Sequence, residues 1–177
     1  VGQRLPNHFL DRQATDSTPE LEALEALVKN IDSSTVGIIF PEGTRANQKK
    51  RDRALEKIAV IDPARADRLH EMRHLLPPRP AGAAAMLRGC PSADVVFAWH
   101  VGFEGLDTFG GILRAISSRM QPIRFHLRRV ERSLIPNNSL IDTNELTKWL
   151  DGEWMRMDRE VGEALRARNE MRRNHHG

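Results

Sequence analysis

A chain of 177 residues, 40% hydrophobic and 29% charged, can make one domain with a sizeable core. No apolar run reaches about 18 residues, so no segment reads as a membrane-spanning helix. Residues 1–10 lack the charged start and apolar stretch of a signal peptide, and the single Cys90 excludes an internal disulfide. The 27 Lys and Arg, with a pI near 9.5 and a net charge of +3, favour anionic surfaces. Lipid headgroups fit that balance. Nucleic acid does not: tyrosine is absent, aromatics are 5%, and no binding module is recognisable.

In chain order, Phe9 and Leu10 read as the end of a strand, and Asp11 and Arg12 as the start of a polar loop. Thr18-Pro19 is a helix start, an N-cap hydroxyl followed by proline at the first helical position. Leu21, Leu24, Leu27, Val28 and Ile31 then recur at helical spacing. Asp32-Ser33-Ser34 ends that helix. Residues 36–40 (Val-Gly-Ile-Ile-Phe) are apolar and rich in β-branched side chains, which predicts a buried strand. The strand-helix-strand order predicts a parallel α/β unit.

Pro41-Glu42-Gly43-Thr44-Arg45 follows directly, at a strand-to-helix turn, where open α/β sheets bind ligands. Pro41 has no N–H and ends the ladder. Gly43 allows a tight turn or a close ligand approach. Arg45 offers a planar fork of donors for phosphate or carboxylate. Glu42 beside it calls for a reason: it could orient the arginine or accept from a substrate hydroxyl. A plain solvated turn is the competing reading.

Residues 47–74 read as mostly helical, with a break at Asp62-Pro63. Residues 75–80 form a proline-rich extended connector, and a helix of small residues starts after Pro80. Residues 94–101 predict a second buried strand, with His100 near its end, which reads as structural more readily than catalytic. Residues 102–111 are a glycine-rich loop, and residues 112–120 a short amphipathic segment. Residues 122–130 alternate and predict a strand with one exposed face. Thr143 caps a last long helix reaching to about Arg173. Its stripe is Leu146, Trp149, Leu150, Trp154, Met157, Val161 and Leu165, with the tryptophans either in the core or at a membrane interface.

Phe40-Pro41-Glu42-Gly43-Thr44-Arg45, with its preceding apolar stretch, resembles the third motif block of the glycerolipid acyltransferases, the family of 1-acylglycerol-3-phosphate acyltransferases. Phe9-Leu10-Asp11-Arg12 resembles the second block, without its usual glycine. Pro78-Arg79-Pro80-Ala81-Gly82 resembles the stretch after the third block. Residues 94–101 resemble the fourth, without its proline. The last strand and helix resemble the subgroup of lysocardiolipin and related lysophospholipid acyltransferases.

The resemblance implies an α/β fold, a partial acyltransferase-like sheet flanked by helices with a long C-terminal helix. Residues 1–177 would be the C-terminal portion of a single acyltransferase domain. It implies transfer of an acyl chain from acyl-CoA or acyl carrier protein to a lysophospholipid in phospholipid synthesis, at the cytoplasmic face of a membrane. No metal or other cofactor is expected. Arg45, helped by Arg12, would hold the acceptor phosphate, and Glu42, Gly43 and Thr44 would complete the pocket.

Such a transfer needs a base and an orienter for it. The family supplies them as His-x-x-x-x-Asp, upstream of the second block. No histidine here meets that pattern. Only His126 has an acid five positions on, Glu131, and it follows the third block. His8 has Asp11 three positions away. Position 1 is valine, so the expectation is a fragment that begins after the catalytic block. The alternative is a non-catalytic lipid- or phosphate-binding module that has lost the dyad. A phosphotransferase or hydrolase finds no Walker loop, no Gly-x-Ser-x-Gly elbow and no zinc spacing.

Overall fold

The computed structural model describes residues 18–103, 110, 113, 122–136 and 144–174. The Phe9-Leu10-Asp11-Arg12 block lies outside these residues, as do Thr143 and most of residues 104–121. The described chain is a mixed helical and β structure. It has a small two-stranded antiparallel sheet and a long C-terminal helix.

Helix α1 spans Thr18–Val28 and packs on α4, Pro80–Gly89, through Leu24 and Val28. Gly89 makes the close approach possible. A Cβ there would lie 2.3 Å from the Glu25 carbonyl oxygen, a backbone atom that cannot swing aside. Helix α2, Gln48–Ile61, opens on Asn47, whose side chain accepts from Lys50 N at 2.9 Å. The expected break at Asp62-Pro63 is present. Asp62 ends α2 and also caps α3, Pro63–Leu69, by accepting from Arg65 N at 2.9 Å. Pro63 then occupies the first helical position, where its missing N–H costs nothing.

Strands β1, Val95–Val101, and β2, Arg124–Val130, pair antiparallel with Val95 opposite Val130 and Val101 opposite Arg124. One face, with Phe97, Trp99 and Val101, lies on helix α5, Asn144–Asn174. Phe97 packs 5.7 Å from Trp149 and 6.1 Å from Trp154, ring centre to ring centre. Arg128 covers Phe97 from the sheet side and pairs with Glu153. The tryptophans are therefore core residues. Leu69, Met72, Leu87, Leu146, Leu150 and Met157 belong to the same cluster.

Two expectations change. Strand β1 is half-buried, because Val96, Ala98 and His100 face away from α5 and are exposed. The two described strands pair antiparallel, and the first strand of the expected parallel unit, ending at Phe9 and Leu10, lies outside the described residues. Residues 36–40 join no ladder among the described residues. Val36, Ile38 and Phe40 are 80%, 74% and 81% exposed. The alternation is still that of a strand: Gly37 meets Val28 and Met86, and Ile39 reaches Gly82 on α4. The segment is extended and seated on two helices, with no described element on its other side.

Candidate functional site

The turn at residues 40–43 closes with Gly43 N donating to Phe40 O at 3.0 Å. Proline second and glycine fourth are the preferences of a type I turn. Gly43 has φ +68°, where a side chain is strained. A Cβ on Gly43 would also lie 3.7 Å from the guanidinium carbon of Arg79. The backbone of Arg79 is tied to the same turn, its N–H donating to Pro41 O at 3.0 Å. Thr44 and Arg45 are exposed, and Lys50 on α2 straps them down. Its Nζ donates to Thr44 Oγ1 at 2.8 Å and to Arg45 O at 3.2 Å.

Glu42 points the other way. Its Oε1 accepts from Trp154 Nε1 at 3.2 Å, and its carboxylate also accepts from the backbone N–H of Leu76. The hydrogen bonds of Glu42 run inward, to α5 and the connector. It does not orient Arg45, and it is turned from any ligand at the outer face. It anchors the turn to helix α5 and to the residue 71–79 connector. Burial raises its carboxyl above the ordinary 4.5, and the Asp158 charge adds to the rise, against the two hydrogen bonds.

The sign of the resulting pH dependence follows. A folded-state value above the unfolded one means the native state binds more protons between the two. Glu42 thus favours the fold most below pH 4.5 and loses that contribution as pH rises through its raised value. Glu42→Gln removes the slope. Thermal melts of the two proteins across a pH series should give a difference that shifts in favour of the glutamine variant as pH rises. A difference constant with pH would contradict the assignment.

With Glu42 turned in, cations dominate the outer face. Arg45, Lys50 and Arg79 surround the turn, and none has a carboxylate partner among the described residues. Helix α2 starts beside them with no acid in its first turn, so its positive end is uncompensated there. Such an arrangement suits a phosphate or carboxylate. Among the predicted site residues, Glu42, Gly43, Thr44 and Arg45 stand together, and Arg12 lies outside the described residues. Arg79 and Lys50 were not predicted. The signal for Arg79 was its place between two prolines in a stretch already singled out. Lys50 had no signal beyond its cluster with Lys49 and Arg51.

Helix α5 holds the site from behind, through a stripe the sequence reading did not name. Asp151, Trp154 and Asp158 lie three and seven positions along one helical face. Asp158 accepts from three successive backbone N–H groups, Arg73 at 2.9 Å and His74 and Leu75 each at 2.7 Å. Asp151 is gripped by Arg65, whose Nη2 also donates to Pro78 O at 2.7 Å. These bonds fix the connector on both sides of Leu76. His100, by contrast, sits on the exposed sheet face, 4.8 Å from Phe103 and 5.8 Å from Phe125 between ring centres. No group of three metal-ligating side chains occurs among the described residues. No described helix is long and apolar enough to cross a membrane. Comparison of the chain with protein-family models, curated proteins and solved structures gave no match.

Proposed function

We propose that this chain carries the acceptor-binding part of a glycerolipid O-acyltransferase with an acyltransferase-like α/β sheet, to which residues 36–40 would contribute a strand. The observation that carries the reading is the turn at residues 41–45, with its one acid anchored inward and its cations outward. The acceptor is a lysophospholipid such as 1-acylglycerol-3-phosphate, met at a membrane surface. Arg45 holds its phosphate, with Arg12 as helper and Arg79 and Lys50 alongside. Gly43 leaves room for the headgroup, and Glu42 keeps the turn in place.

In the transfer, the acceptor hydroxyl oxygen attacks the thioester carbonyl of acyl-CoA or acyl carrier protein. The carbon–sulfur bond breaks, and the proton taken from the hydroxyl passes to the departing thiolate. No histidine in the chain has the family's spacing to an aspartate, so proton transfer is assigned to a His-x-x-x-x-Asp block outside these 177 residues. The same observation supports a second reading, a lipid- or phosphate-binding module without catalysis.

The test is acyl-CoA turnover with lysophosphatidic acid, using this chain and using it joined to its upstream coding sequence. Turnover in the longer protein alone supports the enzyme. Turnover in the short chain contradicts the placement of the base, and binding without turnover in both supports the module. In the active protein, Arg45→Ala should raise the acceptor KM about 10- to 100-fold, the loss of one charge-assisted contact. The acyl-CoA KM should stay within about twofold. An equal rise in both would argue against a phosphate role.

A further inference from the structure

Arg51 stands one residue beyond Lys50, which turns it about 100° around α2 and away from the residue 40–45 turn. It is 9% exposed, yet no hydrogen bond or ion pair holds its guanidinium among the described residues. Arg51 also has no nitrogen that is both fully covered and unpartnered, since Arg68 Nε alone has that state among the described residues. Its stem is therefore buried while its fork opens into the cleft it lines. That cleft, of about 360 Å³, is walled by Gln48, Asp52, Leu55, His70, Met72 and Arg73. Arg73 is held there by Nη1 donating to His70 O at 2.9 Å and Met72 O at 3.1 Å. Two guanidinium groups and an imidazole face one carboxylate, Asp52, which pairs with neither arginine. The first turn of α2 adds its positive end at Gln48.

We propose that this cleft is a second anion site, which takes the phosphate group of a phosphorylated small molecule between Arg51 and Arg73. The packed stem holds the Arg51 fork at the mouth of the cleft, and a tetrahedral dianion matches two planar forks. The cleft is open to solvent and has room for a phosphate ester as well as for a free ion. The proposal does not depend on the acyltransferase reading, because it uses none of the residues at 41–45.

The test is calorimetric titration of the 177-residue chain with pyrophosphate, and sedimentation with phosphatidic acid vesicles. Wild type should bind pyrophosphate in the millimolar range or better, more weakly as salt rises. Arg51→Met keeps the apolar stem and should weaken binding at least tenfold. Arg73→Ala should weaken it several-fold, and both losses should also appear in an Arg45→Ala background, where the turn no longer contributes. If vesicles bind, pyrophosphate does not, and Arg51→Met abolishes the vesicle binding, the phosphate belongs to a lipid headgroup and the site stands. Unchanged affinity in Arg51→Met, or no binding to either probe, overturns it. Should Arg51→Met fail to fold, Arg51→Lys keeps the charge without the fork. It should lose several-fold in affinity, and wild-type affinity there would overturn the proposal equally.

Discussion

Replacing Asp158 by asparagine is expected to destabilise the protein by about 3 kcal/mol, the worth of one or two hydrogen bonds to a buried charged group. Asp158 is 4% exposed and accepts from the N–H groups of Arg73, His74 and Leu75. An amide keeps one acceptor oxygen. Its NH2 would confront an N–H it cannot bond. In a chain of this size the thermal midpoint should fall by about 6–12 °C, and the urea midpoint should fall with it. The change should also reach the candidate site without touching it. Leu76 N–H on Glu42 and Arg79 N–H on Pro41 both depend on the course of the connector. Phosphate affinity at the turn should drop in the variant even where it is fully folded. A loss under about 1 kcal/mol would mean that the three amides find water instead.

The second large effect is at Asp151, 1% exposed and gripped by Arg65 Nε at 2.9 Å and Nη2 at 2.8 Å. Arg65→Met should cost about 3–5 kcal/mol, because it strands a buried carboxylate. Arg68 cannot rescue it, since its contact with Asp151 is long at 3.4 Å. Asp151→Leu should cost a similar amount by stranding Arg65. The double variant should recover most of the loss, since a well-packed apolar pair often matches a buried ion pair. Denaturant unfolding of the four proteins gives the interaction term directly. Additive losses would show that Arg65 acts mainly through its bond to Pro78 O.

Local chemistry was legible in the sequence. Asp62-Pro63 and Pro80 mark helix boundaries because a cap side chain and a fixed φ act within a few residues. Alternation over residues 124–130 gave β2, and the leucine and tryptophan stripe gave α5. What failed was non-local. Residues 36–40 have the composition of a buried strand, but a strand needs a neighbour, and composition does not say whether one is present. The site divides in the same way. Pro41, Gly43 and Arg45 could be read from conformation and charge. The direction of Glu42 could not, because it depends on Trp154, 112 positions later. Asp151 and Asp158 carried an unread signal: acids on the apolar face of a helix are either exposed by a kink or paired in the interior.

The seating of residues 36–40 on two helices has a consequence for how the site moves. Residues 36–39 make no backbone hydrogen bond among the described residues. The turn at the end of this segment is not a corner of the β1–β2 sheet. It is a tethered strip whose order comes from side-chain and connector contacts traced back to α5. Local opening of the turn is therefore expected to involve the connector before the sheet. Contacts traced to α5 hold Arg45 and Arg79 through the turn and the connector, while β1 and β2 are held by their own pairing.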